Sequence, residues 1–505
     1  MNPMIAWLCG QTGSLVAHQA VLALSITLAA FLVYRLCLRF VASGPALCAA
    51  LLFALYPVDA SKPIIMHTTN YFLVLVITLG ALSAYLSRWR PISYLLAVLV
   101  LLTYEPYFLL FALFPFVAFL VEHRRPDWQL LRHWAILAVV LISVLLIRRH
   151  MGEKRSGELL AHLPDYLHKA LSAPFIGTWT ALKMMVERPW EALRHGSGPV
   201  WLVTGLAWAT LHWLHNAFRG TPALPQEEPH QRLDGRSLGL FASLGGAFVL
   251  VPYLYRWHSD YYPPIVTLGR LSALHLPSAI GASMVLAAGA EACRRHMQGI
   301  AGVLQAGLSF YFALLVGVGF HIQRVEYVQN WEQQREFWRQ LIALAPDAGE
   351  NTVIVLDIAP PTDTPVDPRP YTRGFPVFWL ATYPYNFLET INEYPSLWKK
   401  PPRVHAVWDG MVAEQQSDGV LIQSPSWRSR SSWPVLRDGN FIWLEWRGSQ
   451  LVRRTDSVLI AGYRLIPQGI GPPLPPPMHR PAYRLIFPER DAEWPSIRDG
   501  KNYPR

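Results

Sequence analysis

From residue 14 to residue 320 the chain is a succession of apolar runs, each closed by arginines or by a short polar turn. Inside a bilayer no water is present to satisfy backbone amides and carbonyls. A run of about 17–25 apolar residues therefore has one local solution there, the helix. No other feature limits the fold as strongly. The runs fall at residues 14–34, 41–56, 71–86, two short ones within 92–121, 134–147, 200–218, 238–254, 271–290 and 300–320, about ten spans in all once short flanks are allowed for.

The arginines sort the ends. Arg35 and Arg39, Arg88 and Arg90, Arg124, Arg125 and Arg132, Arg219, Arg232 and Arg236, and Arg294 and Arg295 can all be cytoplasmic at once. The turn at residues 59–70, Glu105, the loops at 148–198 and 256–270 and everything after the last run then face outward. Arg148, Arg149 and Arg155 fall on the outer side, but in a long loop, where the bias is weak. The same scheme puts residues 1–12 outside, as expected of a chain that lacks one upstream span. Residues 1–19 have no basic start and no small-residue cleavage site, so no signal peptide is expected. A net charge of +10 would suggest nucleic acid in a soluble protein. Here the basic residues flank apolar runs, so no nucleic-acid partner is expected. Cys9, Cys37, Cys48 and Cys293 all lie in or beside the runs, which leaves the later residues without a disulfide framework or a cysteine zinc site.

After the last run the period changes. Residues 322–345 read as an amphipathic helix with Val325, Val328, Phe337, Trp338, Leu341 and Leu344 along one stripe. Residues 352–358, 419–423, 441–446 and 458–465 read as strands between Pro, Gly, Asp and Ser. Residues 360–370 and 467–481 are proline-rich loops or extended linkers. The expected architecture is mainly α: a polytopic membrane domain at 1–321, a connecting helix at 322–346 and a small α/β or β-rich extracytoplasmic domain at 347–505. Within residues 148–198, Leu159, Leu163, Tyr166, Leu167 and Ala170 recur at helical spacing, which fits a surface-lying helix.

Chemistry-bearing side chains gather at the outward turns. Residues 51–81 are two apolar runs around a turn holding Asp59, Lys62, His67 and Asn70. Asp59 follows Pro57 at the end of a run. Its carboxylate can hold a divalent cation that bridges a diphosphate, or it can cap a helix at the membrane edge. Lys62 and His67 can neutralise phosphate, or sit at the headgroups as such residues commonly do. Glu105 interrupts a 30-residue apolar stretch, where a carboxylate needs water or a partner unless the stretch folds as two short spans. Arg256, His258, Asp260, Tyr261, Tyr262 and Arg270 combine charged and aromatic groups in one loop. They suit phosphate and sugar, and they equally suit an interfacial belt. His212 and His215 share a helix face near the other end, and Asp363 and Asp367 read as turn residues.

Several of these pieces together resemble the GT-C superfamily of polytopic glycosyltransferases, nearest to bacterial relatives of the tetratricopeptide-containing O-mannosyltransferases, without the repeats. Residues 49–59 (AALLFALYPVD) stand where that group has an Ala/Leu-rich run and a His-Pro-Val-His-like turn. Residues 103–105 (TYE) and 113–115 (LFP) correspond to its Ser-Lys-Glu and Leu-Pro runs. Residues 270–278 (RLSALHLPS) are similar to its late Arg-Tyr-Leu-Tyr-Leu-Pro-Ser motif. Tyr56 and Asp59 replace the turn histidines, Tyr104 replaces the lysine, and the late motif has lost its tyrosines. The resemblance implies an inner-membrane enzyme that moves a sugar from a polyprenyl-phosphate donor to a glycan or protein acceptor outside the cytoplasm. Asp59 and Glu105 are its candidate catalytic carboxylates. Lys62, His67, Arg256, His258 and Arg270 are its candidate substrate contacts, and a divalent metal ion is its conceivable cofactor. The family's catalytic aspartate belongs to a first external loop upstream of residue 14. The chain is thus expected to be a fragment, or a divergent member without the usual base. The alternative is a non-catalytic protein of a surface-glycan system that binds lipid-linked sugar or a partner.

Overall fold

Apolar length and polar interruption together set where each helix starts and stops. The computed structural model describes residues 15–62, 65–122, 127–150, 163–219, 234–254, 264–265, 267 and 270–324. Beyond these it describes 336, 339–341, 343–345, 347, 352–357, 403–407, 413–422, 435–447, 450–460 and 462–471. The fold is mainly helical. The chain divides into two units, one covering Val16–Arg324 and the other Val325–Arg505.

The first unit comprises α1 (Leu15–Cys37), α2 (Ser43–Ala54), α3 (Ile65–Leu86), α4 (Arg90–Thr103), α5 (Phe114–Glu122), α6 (Trp128–His150), α7 (Leu163–His195), α8 (Gly198–Arg219), α9 (Gly235–Leu254), α10 (Ser278–His296) and α11 (Ala301–Ile322). Six stretches are long and apolar enough to cross a membrane, and α2 and α4 are shorter apolar helices. The stretch at 92–121 breaks as expected. Tyr104 is extended (φ −158°, ψ 100°), and Glu105–Leu113 forms a 3-10 segment before α5. Pro106 has no amide hydrogen to continue the bonding of α4, and it sits in the first turn of the new segment, where that loss is harmless. Three helix starts differ from expectation. α6 begins at Trp128 rather than at residue 134, and α10 begins at Ser278 rather than at residue 271 because Arg270–His275 is a 3-10 turn. α3 begins at Ile65, so His67 and Asn70 belong to a helix and the polar turn is shorter than 59–70. Residues 65–70 (IMHTTN) contain neither Gly nor Pro, so nothing in them breaks a helix.

Outer faces of this unit are apolar. α6 buries His133, Leu137 and Val144 while Val139, Ile142, Leu145 and Leu146 are exposed. Contiguous exposed apolar surface of this kind is the signature of a lipid-facing helix rather than of a water-soluble surface. Ser25, Thr27, Thr78, Thr103, Thr210 and Ser243 each donate to the carbonyl four residues earlier, the local way to satisfy a hydroxyl without water. α7 presents Leu171, Phe175, Trp179, Leu182, Val186 and Trp190 along one exposed stripe. At about 1.5 Å per residue its 33 residues are nearly 50 Å long. A helix is present at Leu163–His195, longer than its sequence signal, while Leu159 and the side chains of Leu163, Tyr166, Leu167 and Ala170 lie outside the described residues.

Long-range hydrogen bonds fix which ends meet. At one end Ala42 N donates to Glu291 Oε2 (3.3 Å), Arg90 donates to Gln129 (2.8 Å), and Arg88 lies 4.0 Å from Glu122. At the other, Tyr56 meets Ser278 and Arg148 is ion-paired with Glu105. The helices joining these residues therefore alternate in direction, and α2 and α10 are antiparallel and pinned at both ends. The arginine-rich ends share one side, as the charge pattern requires.

The second unit has a four-stranded sheet in the order β2–β1–β6–β7, where β1 (Val353–Asp357) runs parallel to β2 (Arg403–Val407) and to β6 (Phe441–Arg447), and β7 (Gln450–Arg454) is antiparallel to β6. β3 (Ala413–Gln416), β4 (Gly419–Ile422) and β5 (Val435–Leu436) form an antiparallel sheet, and β8 (Val458–Ile460) with β9 (Tyr463–Leu465) a hairpin. Val353, Val355, Phe441 and Trp443 from one face of the first sheet pack with Val420, Ile422, Leu436, Val458, Ile460 and Leu465. Ile354, Ile442 and Leu444 on its other face are buried as well. Burial of both faces accompanies parallel pairing. Helical residues 339–341 and 343–344 lie against β7: Leu451 N donates to Gln340 Oε1 (2.7 Å) and Arg453 to Leu344 O (2.9 Å). Most of the expected connecting helix at 322–346, with Val325, Val328, Phe337 and Trp338 of its stripe, lies outside the described residues; only its last turns are seen against the sheet.

Candidate functional site

Two segments far apart in sequence meet at the end of α2 and the start of α10. Tyr56 and Ser278, 222 positions apart, are hydrogen-bonded at 3.0 Å. Pro57 stops α2 from continuing, and the chain turns through Asp59, Ala60 and Ser61. The 3-10 turn Arg270–His275 supplies the opposite wall. Ala60 N donates to Ser272 Oγ at 2.9 Å.

Asp59 lies at the centre and is buried (4% exposed). Its Oδ1 accepts from Ser61 N (2.9 Å), Ser61 Oγ (2.6 Å) and Ser272 Oγ (3.3 Å). The bond to the backbone two residues on is an Asx turn, so the bland reading of Asp59 as a turn residue accounts for one oxygen. It does not account for the other. Oδ2 is buried with no hydrogen-bond partner, and such an atom requires an explanation. A second cluster adjoins. Ser278 Oγ donates to His275 O (2.6 Å), and Tyr253 Oη lies 2.6 Å from His275 Nδ1 and 3.2 Å from Ser278 Oγ. Tyr56, Ser61, Tyr253, Ser272, His275 and Ser278 are all fully buried. Gly177 of α7 makes room for this cluster, since a Cβ there would fall 2.5 Å from the Tyr253 ring.

The other candidates divide. Lys62 sits on the same turn, half-buried, and donates to Tyr56 O at 3.3 Å. Glu105 is joined elsewhere: it is ion-paired with Arg148, which also donates to Leu101 O (3.1 Å). That pairing answers both the half-buried carboxylate in an apolar stretch and the arginine that the charge pattern leaves apart from the others. His67 lies in the first turn of α3 and Arg270 opens the 3-10 turn at the site wall; their side chains, and all of Arg256, His258, Asp260, Tyr261 and Tyr262, lie outside the described residues. Asp363 and Asp367 do too.

Sequence reasoning quoted Ser272, His275 and Ser278 only as parts of a motif and missed Arg188 altogether. Arg188 on α7 is 6% exposed, donates to Glu191 (2.9 Å) and to Thr267 O (3.3 Å), and has its Nε buried without a partner. No local signal could reveal it, because its burial depends on residues 79 positions away. Among the described residues no three His, Cys, Asp or Glu side chains come together as a cation site. Around Asp59 the other groups are serine hydroxyls already donating to it. One carboxylate oxygen among them is too few hard donors for a divalent ion, so the described residues do not by themselves fit that cofactor.

Comparison of the chain with family models, with curated proteins and with solved structures finds no match.

Proposed function

We propose that this chain is a multispanning inner-membrane protein of GT-C type, which moves a sugar from a polyprenyl-phosphate donor to a glycan or protein acceptor on the extracytoplasmic side. About ten spans cross the bilayer, the Asp59 end of the bundle faces outward, and the second unit lies outside the cytoplasm. The observation that carries the reading is the buried Asp59 Oδ2, held without a partner where the turn at residues 56–62 meets the segment at 270–278. Those two segments are the ones that bear the family likeness.

A carboxylate with one oxygen fixed by three donors and the other uncommitted is oriented to take a proton. In the reaction Asp59 accepts the proton of the acceptor hydroxyl as the acceptor oxygen bonds to the sugar's anomeric carbon. The bond from that carbon to the phosphate oxygen breaks, and polyprenyl phosphate leaves with its charge offset by cations at the site. Lys62 on the turn, Arg270 at the start of the second segment and the buried Arg188, bonded to Thr267 just before it, are the cations assigned this role. The test is transfer from a polyprenyl-phosphate sugar by the purified full chain. Asp59→Asn should lower the rate by about 10²–10⁴-fold while donor binding persists. Full activity in that variant would remove Asp59 from the chemistry.

The second reading is a non-catalytic protein that binds lipid-linked sugar or a partner. The near-complete burial of Asp59 favours it. Donor binding by wild type with no transfer to any acceptor supplied would select it.

A further inference from the structure

The opposite end of the bundle carries a feature that sugar transfer does not use. α1 and α3 both run toward that end, and a cavity of about 280 Å³ opens beside their last two turns. Leu36, Leu79 and Leu82 in its lining are buried, Phe31 beside them is exposed, and Arg35, Arg39, Ser83 and Ser87 bring the polar groups. Both arginines are exposed, and among the described residues neither has a carboxylate in ion-pair range. Their neighbours at this end differ: Arg88 has Glu122, Arg90 has Gln129, and Arg294 and Arg295 have Glu291. Partial desolvation and the like charge of Arg35 pull the Arg39 guanidinium below its usual value, as happens to a cation short of an anion.

We propose that this cavity seats one anionic phospholipid, its phosphate between Arg35 and Arg39 with Ser83 as a further donor, and an acyl chain along Phe31, Leu79 and Leu82. Guanidinium forks match phosphate oxygens two at a time. Basic pockets between helices on the arginine-rich side of a membrane are where anionic headgroups collect. The apolar lining has no use for a soluble anion, and a zwitterionic lipid brings a cation that cancels its phosphate. Charge and apolar surface together select the anionic lipid. The seat lies at the other end of the bundle from Asp59 and requires only that the helices stand in a bilayer, so it stands or falls apart from the sugar-transfer reading.

The experiment is native mass spectrometry of the full chain in neutral detergent with phosphatidylglycerol or phosphatidylcholine added. Wild type should retain phosphatidylglycerol in preference. R35Q/R39Q should lose about 25-fold of that preference, about fivefold for each guanidinium removed. S83W, at an exposed position with both arginines intact, should fill the cavity and also release the lipid. R132Q/R236Q removes two exposed charges from the same end but outside the cavity, and should keep the preference. Equal retention of the two lipids by wild type would overturn the proposal. So would an equal loss in R132Q/R236Q, no effect of S83W, or displacement of the lipid by excess inorganic phosphate.

Discussion

Two buried carboxylates stand at opposite ends of the antiparallel pair α2 and α10, and they are treated differently. Glu291 (side chain 1% exposed) is saturated: Arg294 Nε and Nη2 donate at 2.9 and 2.6 Å, Arg295 Nε at 2.7 Å, and Ala42 N at 3.3 Å. Asp59 meets serine hydroxyls and a backbone amide on one oxygen and nothing on the other. A buried charge with every lone pair answered is a structural joint. One left half-answered costs stability, and it is retained where it has something to do. The contrast separates a carboxylate that ties α10 to the start of α2 from one available to a substrate.

A second carboxylate with both oxygens answered lies in the second unit. There Asp347 pairs with Arg453 at 2.5 Å, the side chains 3% and 4% exposed, although the guanidinium Nε is left without a partner. Asp347→Asn strands a buried guanidinium and should cost that unit about 3–5 kcal/mol, read by denaturant unfolding. Acid should reproduce the effect. Burial alone would raise the Asp347 carboxyl, but the Arg453 guanidinium and the Gly471 amide outweigh it and hold the group below its usual value. The pair's contribution is therefore complete above the ordinary carboxylate range near about 4 and is lost as pH falls through the lower, folded value. Hydrogen exchange along β7 that stays unchanged at low pH would refute this.

Glu291→Gln should cost less, about 2–3 kcal/mol, because Arg294 and Arg295 are partly exposed and can turn to water. The loss would appear as a lower melting temperature in detergent. A smaller effect of opposite sign is expected next to it. Arg88 holds φ +67° after α3, with Trp89 N bonded to Ala84 O (2.8 Å) and Arg88 N to Tyr85 O (3.1 Å), the bond pattern of a glycine-type helix stop. Arg88→Gly should stabilise by about 1 kcal/mol, and a fall in melting temperature would show that its weak pairing with Glu122 matters more. Asp59→Asn should move stability least, by under about 1 kcal/mol. A loss as large as that of Glu291→Gln would erase the contrast and make Asp59 a joint too.

Much of the helical unit was legible because hydropathy and helical length are local properties. α1, α4, α5, α8, α9 and α11 follow their apolar runs to within a few residues. The start of α3 was misread because His67 and Asn70 are polar, and polarity was taken for a turn. In the second unit β1, β4 and β6 were legible as apolar β-rich runs. β2 (RVHAV) and β7 (QLVRR) were not, since their charged residues resemble a loop until the neighbouring strands are known. At the site, Asp59, Lys62, Glu105 and the 270–278 segment could each be singled out. Their grouping could not. Glu105 is committed to Arg148, and Arg188 joins the wall near Thr267 instead.

The sequence by itself determined that a run of apolar helices precedes a strand-rich unit, because a bilayer leaves an apolar backbone no other way to satisfy its amides. It also determined which helix ends share a side, through the placement of arginine. Only the tertiary structure decided which buried charges are spent and which are free. That depends on hydrogen-bond partners more than 200 residues away, such as Ser272 for Ala60 and Glu291 for Ala42. Asp59 and Glu291 are both acids at a helix end; their surroundings alone make one a joint and leave the other open.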